Sequence, residues 1–326
     1  QWTVSSDEEH QALGNFLVDW LSDDEHIALH TSGSTGKPKE IQMPKMAMYT
    51  SAVRTAAFFN LSEGDSALLC LPMRYIAGKM MLVRALVLGL HLDIIPPKTK
   101  LHIEKNYTFV ALIPLQANAS FDVLGRFKTV LIGGAPIPID LRQRISKKYK
   151  HCIETYGMTE TLTHVATRVV SDAVIPFRAM PGIGIATDEN DCLVLEVPYV
   201  PLSPIVTQDI VKLEGDDTFQ LLGRRDWVIN SGGIKIIPEA LEETLAPYMK
   251  FPFFFTGMPD VKLGEKLVLL AEAPASKKRE LIAIARKHLD SNKYHIPKEV
   301  FCIPAFKYNS MSKLDRIASR NVAYAN

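Results

Sequence analysis

Hydrophobic and polar positions along this chain fall into blocks whose period switches between helical and extended. Leu13, Phe16, Leu17, Trp20 and Leu21 recur at helical spacing, and Ser6-Asp7-Glu8-Glu9 ahead of them fits a capping box. The apolar runs Ile27–Leu29 and Ile41–Met43 read as strands on either side of a polar loop. A helix is expected over Met46–Phe59, a buried strand over Ala67–Leu71 ended by Pro72, and a helix over Lys79–Leu88. Leu92–Ile95, Phe109–Ile113, Val130–Ile132 and Cys152–Thr155 predict further strands, with helices over Leu115–Leu124 and Ile139–Lys148 between them. Alternation of this kind predicts an α/β fold with a largely parallel sheet. In such sheets ligands bind outside the carboxyl ends of the strands.

From about Pro181 the pattern changes to short strands and turns: Cys192–Val197, Ile205–Val206, Ile210–Leu213 and Phe219–Leu222. These predict a small β subdomain, ended by Gly223-Arg224-Arg225-Asp226. Trp227–Asn230 and Ile234–Ile237 predict a hairpin closed by Ser231-Gly232-Gly233. Helices over Pro238–Leu245 and Lys277–Asn292 then alternate with strands over Phe251–Thr256, Lys266–Ala271 and Val300–Ile303. The pattern divides the chain into a large domain, residues 1–225, of mostly parallel sheet with helices plus the β subdomain, and a small α+β domain, residues 226–326.

Composition narrows the field by exclusion. The 326 residues carry a formal net charge of +1, so bulk electrostatics makes no case for nucleic acid or an anionic membrane as partner. Cys70, Cys152, Cys192 and Cys302 are scattered with no C-x-x-C pair, which points to neither zinc nor a disulfide framework and fits reduced thiols in the cytoplasm. The longest apolar stretch, Ile76–Leu90, is too short to span a bilayer and is interrupted by Lys79 and Arg84. The start of the chain shows no basic-then-apolar signal pattern.

The polar loop between the first two strands reads Thr31-Ser32-Gly33-Ser34-Thr35-Gly36-Lys37-Pro38-Lys39. Hydroxyls, glycine-exposed backbone N–H groups and two ammonium groups suit a polyphosphate. The spacing fails the P-loop pattern, since only two residues separate Gly33 from Gly36 and Pro38 follows Lys37. A solvated turn has the same composition. Two other motifs follow predicted strands: Gly133-Gly134-Ala135-Pro136 and Tyr156-Gly157-Met158-Thr159-Glu160-Thr161. Glu160 by itself also reads as an acidic residue favouring a helix N-terminus. Lys79 and Arg84 either snorkel to water or face a pocket and bind an anionic group.

The whole loop string resembles the signature phosphate loop of the adenylate-forming superfamily of acyl-CoA synthetases, adenylation domains and luciferases. Further motifs follow in that superfamily's order. Gly133–Pro136 resembles the stretch beside adenine, and Tyr156–Thr161 the Tyr-Gly-x-Thr-Glu motif. The resemblance implies that the Tyr156 ring stacks near adenine, Thr159 contacts the α-phosphate and Glu160 holds Mg²⁺. Thr207-Gln208-Asp209 resembles the Thr-Gly-Asp motif, with Gln208 in place of glycine, which implies that Asp209 binds the ribose hydroxyls. Arg224 is implied as a ribose or phosphate contact and Asp226 as the hinge of a mobile C-terminal domain. Asn309–Arg316 resembles the catalytic-lysine motif, with Ser312 where glycine is usual, and implies Lys313 as the adenylation lysine.

The implied reaction has two halves. A carboxylate, ionised at neutral pH and needing no general base, attacks the α-phosphate of ATP and expels pyrophosphate. The thiol of CoA then takes the acyl group, with Ser231, Gly232, Gly233 and Lys235 implied along the thiol's path. A plain hairpin turn accounts equally for the two glycines. The compact form lacks a usual N-terminal subdomain. Together with Leu69–Met81 and Ser231–Ile236 it most resembles the o-succinylbenzoate–CoA ligases of menaquinone biosynthesis. Tyr75, where many relatives carry histidine, and Lys235 are departures. An acid with a second carboxylate would give Arg84 or Lys79 a partner, and Tyr75 would line the same pocket. Loading of a carrier protein in place of CoA, and a nucleotide-binding regulator without catalysis, are the alternatives.

Overall fold

A computed structural model describes residues 7–30, 39–173, 175–289, 292–308 and 314–324. The chain forms two compact units. One contains residues 1–186, 194–206 and 213–219, and the other residues 187–193, 207–212 and 220–326.

The first unit begins with helix α1 (Glu8–Leu21). Its cap is Asp7, whose side chain accepts from the backbone N–H groups of Glu9 and His10, so one residue of the expected box does the capping. Strands β1 (His26–His30) and β2 (Glu40–Pro44) pair antiparallel, with His30 opposite Glu40. The main layer then alternates β3 (Ser66–Leu69), α3 (Ile76–Leu88), β4 (His91–Ile94), β5 (Tyr107–Leu112), α4 (Pro114–Ala119), β6 (Phe127–Ile132), α5 (Ile139–Lys148) and β7 (Cys152–Gly157). Helix α2 (Lys45–Phe59) precedes β3.

Strands β4, β3, β5, β6 and β7 lie side by side and parallel, as the alternation predicts. Antiparallel β8 (His164–Val169) and β9 (Phe177–Ala179) continue the sheet beyond β7. On one face Leu68, Val110, Leu112, Val130, Ile132 and Cys152 pack with Leu141 and Ile145 of α5. Burial on both faces explains why these strands read as continuous apolar runs.

The expected helix over Leu115–Leu124 is two pieces, α4 and a 3-10 turn at Phe121–Arg126, broken at Ser120. The strands expected as a small β subdomain, β10 (Gly184–Thr187), β11 (Cys192–Glu196), β12 (Ile205–Leu213) and β13 (Thr218–Arg224), belong to that same sheet, with β13 pairing antiparallel to β9. The two expected strands at 205–213 are one continuous strand.

The second unit carries β14 (Ile229–Ser231), β15 (Ile234–Ile236), α6 (Pro238–Leu245), β16 (Phe253–Asp260), β17 (Gly264–Glu272), α7 (Lys278–His288), β18 (Glu299–Ile303) and α8 (Arg316–Tyr324). Alternating residues of its sheet feed two cores. Phe255, Leu267 and Leu269 pack with Leu241, Leu245 and Leu281, while Phe254, Val268 and Leu270 pack with Phe306 and Ala323.

Arg316 ties α8 to α6. It donates from Nη1 and Nη2 to Glu242 at 2.7 and 2.6 Å, and its Cζ lies 5.7 Å from the centre of the Trp227 ring. Neighbouring Glu239 is different, because its Oε2 is buried and has no hydrogen-bond partner. Burial, opposed by Arg316 and reinforced by Glu242, pushes its carboxyl from the ordinary 4.5 up to about 7.

Between these two values the folded protein keeps the Glu239 proton that the unfolded chain loses. Stability from this group is therefore full below about pH 4.5, falls as pH rises, and is lost above about pH 7. The displacement corresponds to about 3 kcal/mol. Glu239→Gln should abolish that loss, so melting curves of variant and parent should diverge from pH 5 to pH 8 in favour of the variant. Parallel curves would contradict the assignment.

Candidate active site

In the first unit, β7 ends in Tyr156 and Gly157, and a tight turn over 158–163 leads back into antiparallel β8. Thr161 holds this turn from inside. Its Oγ1 accepts from the Met158 N–H at 2.9 Å and lies 2.8 Å from the Thr163 carbonyl. Leu162 adopts a left-handed φ of 66° with its side chain fully buried, and its N–H donates to Thr159 O at 3.0 Å. That conformation is costly for a leucine and persists because burial of the side chain overdetermines it. Thr159 and Glu160 thereby stand half-exposed on a fixed turn. Glu160 is in a turn between strands, so the helix N-terminus explanation for it falls away.

The Tyr156 ring is buried against Phe219 and Phe177, at 5.4 and 5.9 Å between ring centres. Gly133, Gly134, Ala135 and Pro136 follow the carboxyl end of β6, and the last three are exposed. The Gly133 N–H donates to Leu112 O at 3.0 Å.

Lys79 and Arg84 share α3 but not an environment. Lys79 lies over the Phe16 ring of α1, 5.6 Å from its centre, and Asp19 partly offsets the burial that lowers its pKa. The side chain is half-buried there. Arg84 is 3 % exposed. Its Cζ stands 6.0 Å from the Phe109 ring centre, its Nη1 reaches only Met81 Sδ at 3.6 Å, and its buried Nε has no hydrogen-bond partner. It makes no ion pair among the described residues. Burial pulls the guanidinium down to about 10, so it stays charged at neutral pH.

Around Arg84 stand His164, Thr55 and Tyr199. Burial, reinforced by Arg84, lowers His164 to about 3 and keeps it neutral. Thr55 Oγ1 donates its single proton to Ser51 O at 2.9 Å, so in the 3.4 Å contact with His164 Nε2 the imidazole is the donor. Tyr75 caps the N-terminus of α3, with the Arg74 guanidinium 4.8 Å from its ring centre.

In the second unit Asp209, Arg224 and Asp226 meet. Arg224 grips Asp226 with Nε and Nη2, both at 2.9 Å, and reaches Asp209 Oδ1 with Nη1 at 3.3 Å. The Thr207 hydroxyl accepts from the Asp209 N–H at 3.1 Å. Gly232 and Gly233, at φ 62° and 83°, form the two-residue turn between β14 and β15, the geometry that the glycine pair predicts. Ser231 is buried and Lys235 is exposed. Thr31 to Pro38 and Lys313 lie outside the described residues. Exposed Lys39 leads directly into β2.

The AMP-binding enzyme family matches residues 4–204. The chain belongs to that family. It is an adenylate-forming acid–CoA ligase, a class that works with ATP, Mg²⁺ and CoA. An acyl-CoA synthetase (AMP-forming)/AMP-acid ligase II-like protein from Dyadobacter fermentans is 33 % identical, with a TM-score of 0.63 covering 98 % of this chain and 95 % of that one. The 2-succinylbenzoate–CoA ligase of Oceanobacillus iheyensis is 25 % identical over 90 % of this chain and 69 % of its own. The o-succinylbenzoate CoA synthetase of Bacillus subtilis, solved with ATP and a magnesium ion, shares the fold at a TM-score of 0.76 and 21 % identity, covering 90 % of this chain and 69 % of that one. No helix among the described residues is long and apolar enough to cross a membrane.

Sequence reasoning missed Ser51, Thr55, His164 and Tyr199 around Arg84. Thr163 and His164 directly follow a recognised motif, which is a usable signal. Ser51 and Thr55 sit inside an ordinary helix and give none.

Gly157 shows how closely the turn is built, since a Cβ there would lie 2.1 Å from the Thr163 carbonyl oxygen. Gly157→Ala should cost about 1–3 kcal/mol of stability and lower adenylation with it, checked by thermal denaturation and pyrophosphate release. An alanine variant with unchanged melting temperature and rate would contradict this geometry.

Proposed function

We propose that the chain ligates an acid bearing a second anionic group to CoA, and that the acid is 2-succinylbenzoate, as in menaquinone biosynthesis. Arg84 carries this reading. A buried guanidinium with an unpartnered Nε and no carboxylate among the described residues is costly, and an anionic group of the substrate would offset that cost. The resemblance to 2-succinylbenzoate–CoA ligases supplies the candidate, because that acid carries one carboxylate to activate and one to anchor.

The step balances without a base. A carboxylate oxygen bonds to the α-phosphorus of ATP, the bond to the bridging oxygen breaks, and pyrophosphate leaves. The CoA thiolate then attacks the acyl carbon and AMP leaves. The work of the protein is electrostatic and positional. Glu160 and Thr159, held by Thr161 and Leu162, stand at the end of a parallel-sheet strand, where ligands of such folds bind.

Glu160 makes no ion pair among the described residues and no cluster of three metal-ligating side chains occurs there. That donor set fits Mg²⁺, which takes one or two carboxylates plus substrate phosphates. When bound, Mg²⁺ neutralises phosphate charge. The Thr31–Lys39 loop would hold the leaving pyrophosphate and Lys313 would add charge to the adenylation half. Asp209 and Arg224 would take the ribose hydroxyls, and Tyr156 with Gly133–Pro136 the base. The thiol would pass Ser231–Gly233 and Lys235. In this reading residues 226–326 pivot at Asp226, which pairs with Arg224 at 2.9 Å.

Pyrophosphate release with ATP and 2-succinylbenzoate, measured with and without CoA, tests the proposal. Release with no thioester on adding CoA would favour a carrier-protein thiol, and ATP binding without release for any aryl acid would sink the enzyme reading. Arg84→Ala should raise KM for 2-succinylbenzoate about 10- to 100-fold, the cost of one charged hydrogen bond, and leave KM for ATP unchanged. Lys313→Ala should lower adenylation by orders of magnitude while sparing thioester formation from preformed acyl-adenylate. Equal loss in both halves would contradict the pivot.

A further inference from the structure

We infer that the hydroxyl pair Ser51–Thr163 is a positioning device that sets the Arg84 pocket in register with the turn carrying Thr159 and Glu160. The inference rests on the acid pocket and turn roles proposed above.

Ser51 Oγ and Thr163 Oγ1 are 3.0 Å apart, joining helix α2 to the last residue of the turn. On the turn side, the Thr163 carbonyl meets the Thr161 hydroxyl at 2.8 Å, and that same hydroxyl accepts from Met158 N–H at 2.9 Å. The residue after Met158 is Thr159. On the pocket side, Ser51 O accepts from Thr55 Oγ1 at 2.9 Å, and Thr55 Oγ1 lies 3.4 Å from His164 Nε2. The path therefore runs from Arg84 over the Phe109 ring to Phe59 of α2, 6.0 Å between ring centres, and from Ser51 of that same helix through Thr163 and Thr161 to the turn. Every member lies in the first unit.

Burial makes this arrangement demanding. Ser51 is 2 % exposed, Thr163 is half-buried, and Thr161 beside it is fully buried. An alanine and a valine would fill these sites with apolar atoms. The hydroxyls add direction: each has one proton and a narrow set of partners, so the pair fixes one register of α2 against the turn.

A doubly anchored acid needs that register. If Arg84 holds the distal anionic group, the distance from Arg84 to the turn decides where the reacting carboxylate meets the α-phosphorus. A misplacement of about 1 Å in such geometry costs about 100-fold in rate. The pair acts through other residues and touches neither reactant, so it is a positioning element.

The test is ATP–pyrophosphate exchange with 2-succinylbenzoate at saturating substrates, with melting temperatures recorded in parallel. Thr163→Val and Ser51→Ala should each lower kcat about ten-fold, the effect of one lost hydrogen bond, with KM for ATP unchanged. The double variant should be no slower than the slower single, because both remove the same contact. Thr163→Ser, which keeps the hydroxyl, should restore kcat to within about two-fold of the parent. Unchanged kcat in both singles, multiplicative losses in the double, or loss of rate only in step with melting temperature overturns the inference. Glu160→Ala separates this from the underlying reading. If it abolishes exchange while Thr163→Val does not slow it, only the register fails. If Glu160→Ala keeps full exchange, the assigned role of the turn fails and the inference with it.

Discussion

A permanently charged guanidinium inside the first unit is the constraint to which the surrounding structure answers. Arg84 lies on α3 with its Cζ over Phe109, and neither helix nor sheet offers it a carboxylate among the described residues. Left so, a buried charge costs several kcal/mol. The surroundings reduce the cost without cancelling it. Phe109 offers its π face, Met81 its sulfur, and His164 stays neutral. Such a residue is poorly explained by stability and well explained by an anionic ligand.

The second unit handles its charges differently. Arg316 spends its guanidinium on both oxygens of Glu242 and packs over Trp227 and Phe254. Arg224 divides its donors between Asp226 and Asp209. These are satisfied pairs that fix backbone segments on either side of residue 226. Among the described residues Glu239 keeps a buried, unpartnered oxygen, and its raised pKa follows from that burial. Arg142 and Arg316 each meet a glutamate, whereas Arg84 meets none among the described residues.

Most of the parallel layer was legible in the residue order. Strands of four to six residues with apolar runs, separated by helical periods, permit few arrangements once crossovers must be right-handed and short. The hairpin at Gly232-Gly233 was legible for a local reason: two left-handed positions in succession are cheap only for glycine. The short strands β8, β9 and β10 escaped because three to six residues leave no readable period, even where, as for β8 and β9, the partner is the neighbouring strand in the chain. Asp209 and Arg224 were named from motifs, and they do meet within one unit. Arg84 and Lys79 were both named from the cost of a charge on an apolar helix, and the coordinates show how their surroundings differ.

The sequence by itself determined the alternation of strand and helix and the family. These are local patterns, fixed by steric preference and by the spacing of functional groups along the chain. Only the tertiary structure decided which charge is fully buried and which is half-buried. Lys79 and Arg84 are five residues apart on one helix, yet one lies over Phe16 and the other is sealed against Phe109. Burial is a property of the packed neighbours that remote segments supply, and no local pattern encodes it. The same holds for the turn at 158–163, whose sequence announced a motif while Ser51, more than a hundred residues earlier, holds its last residue in place.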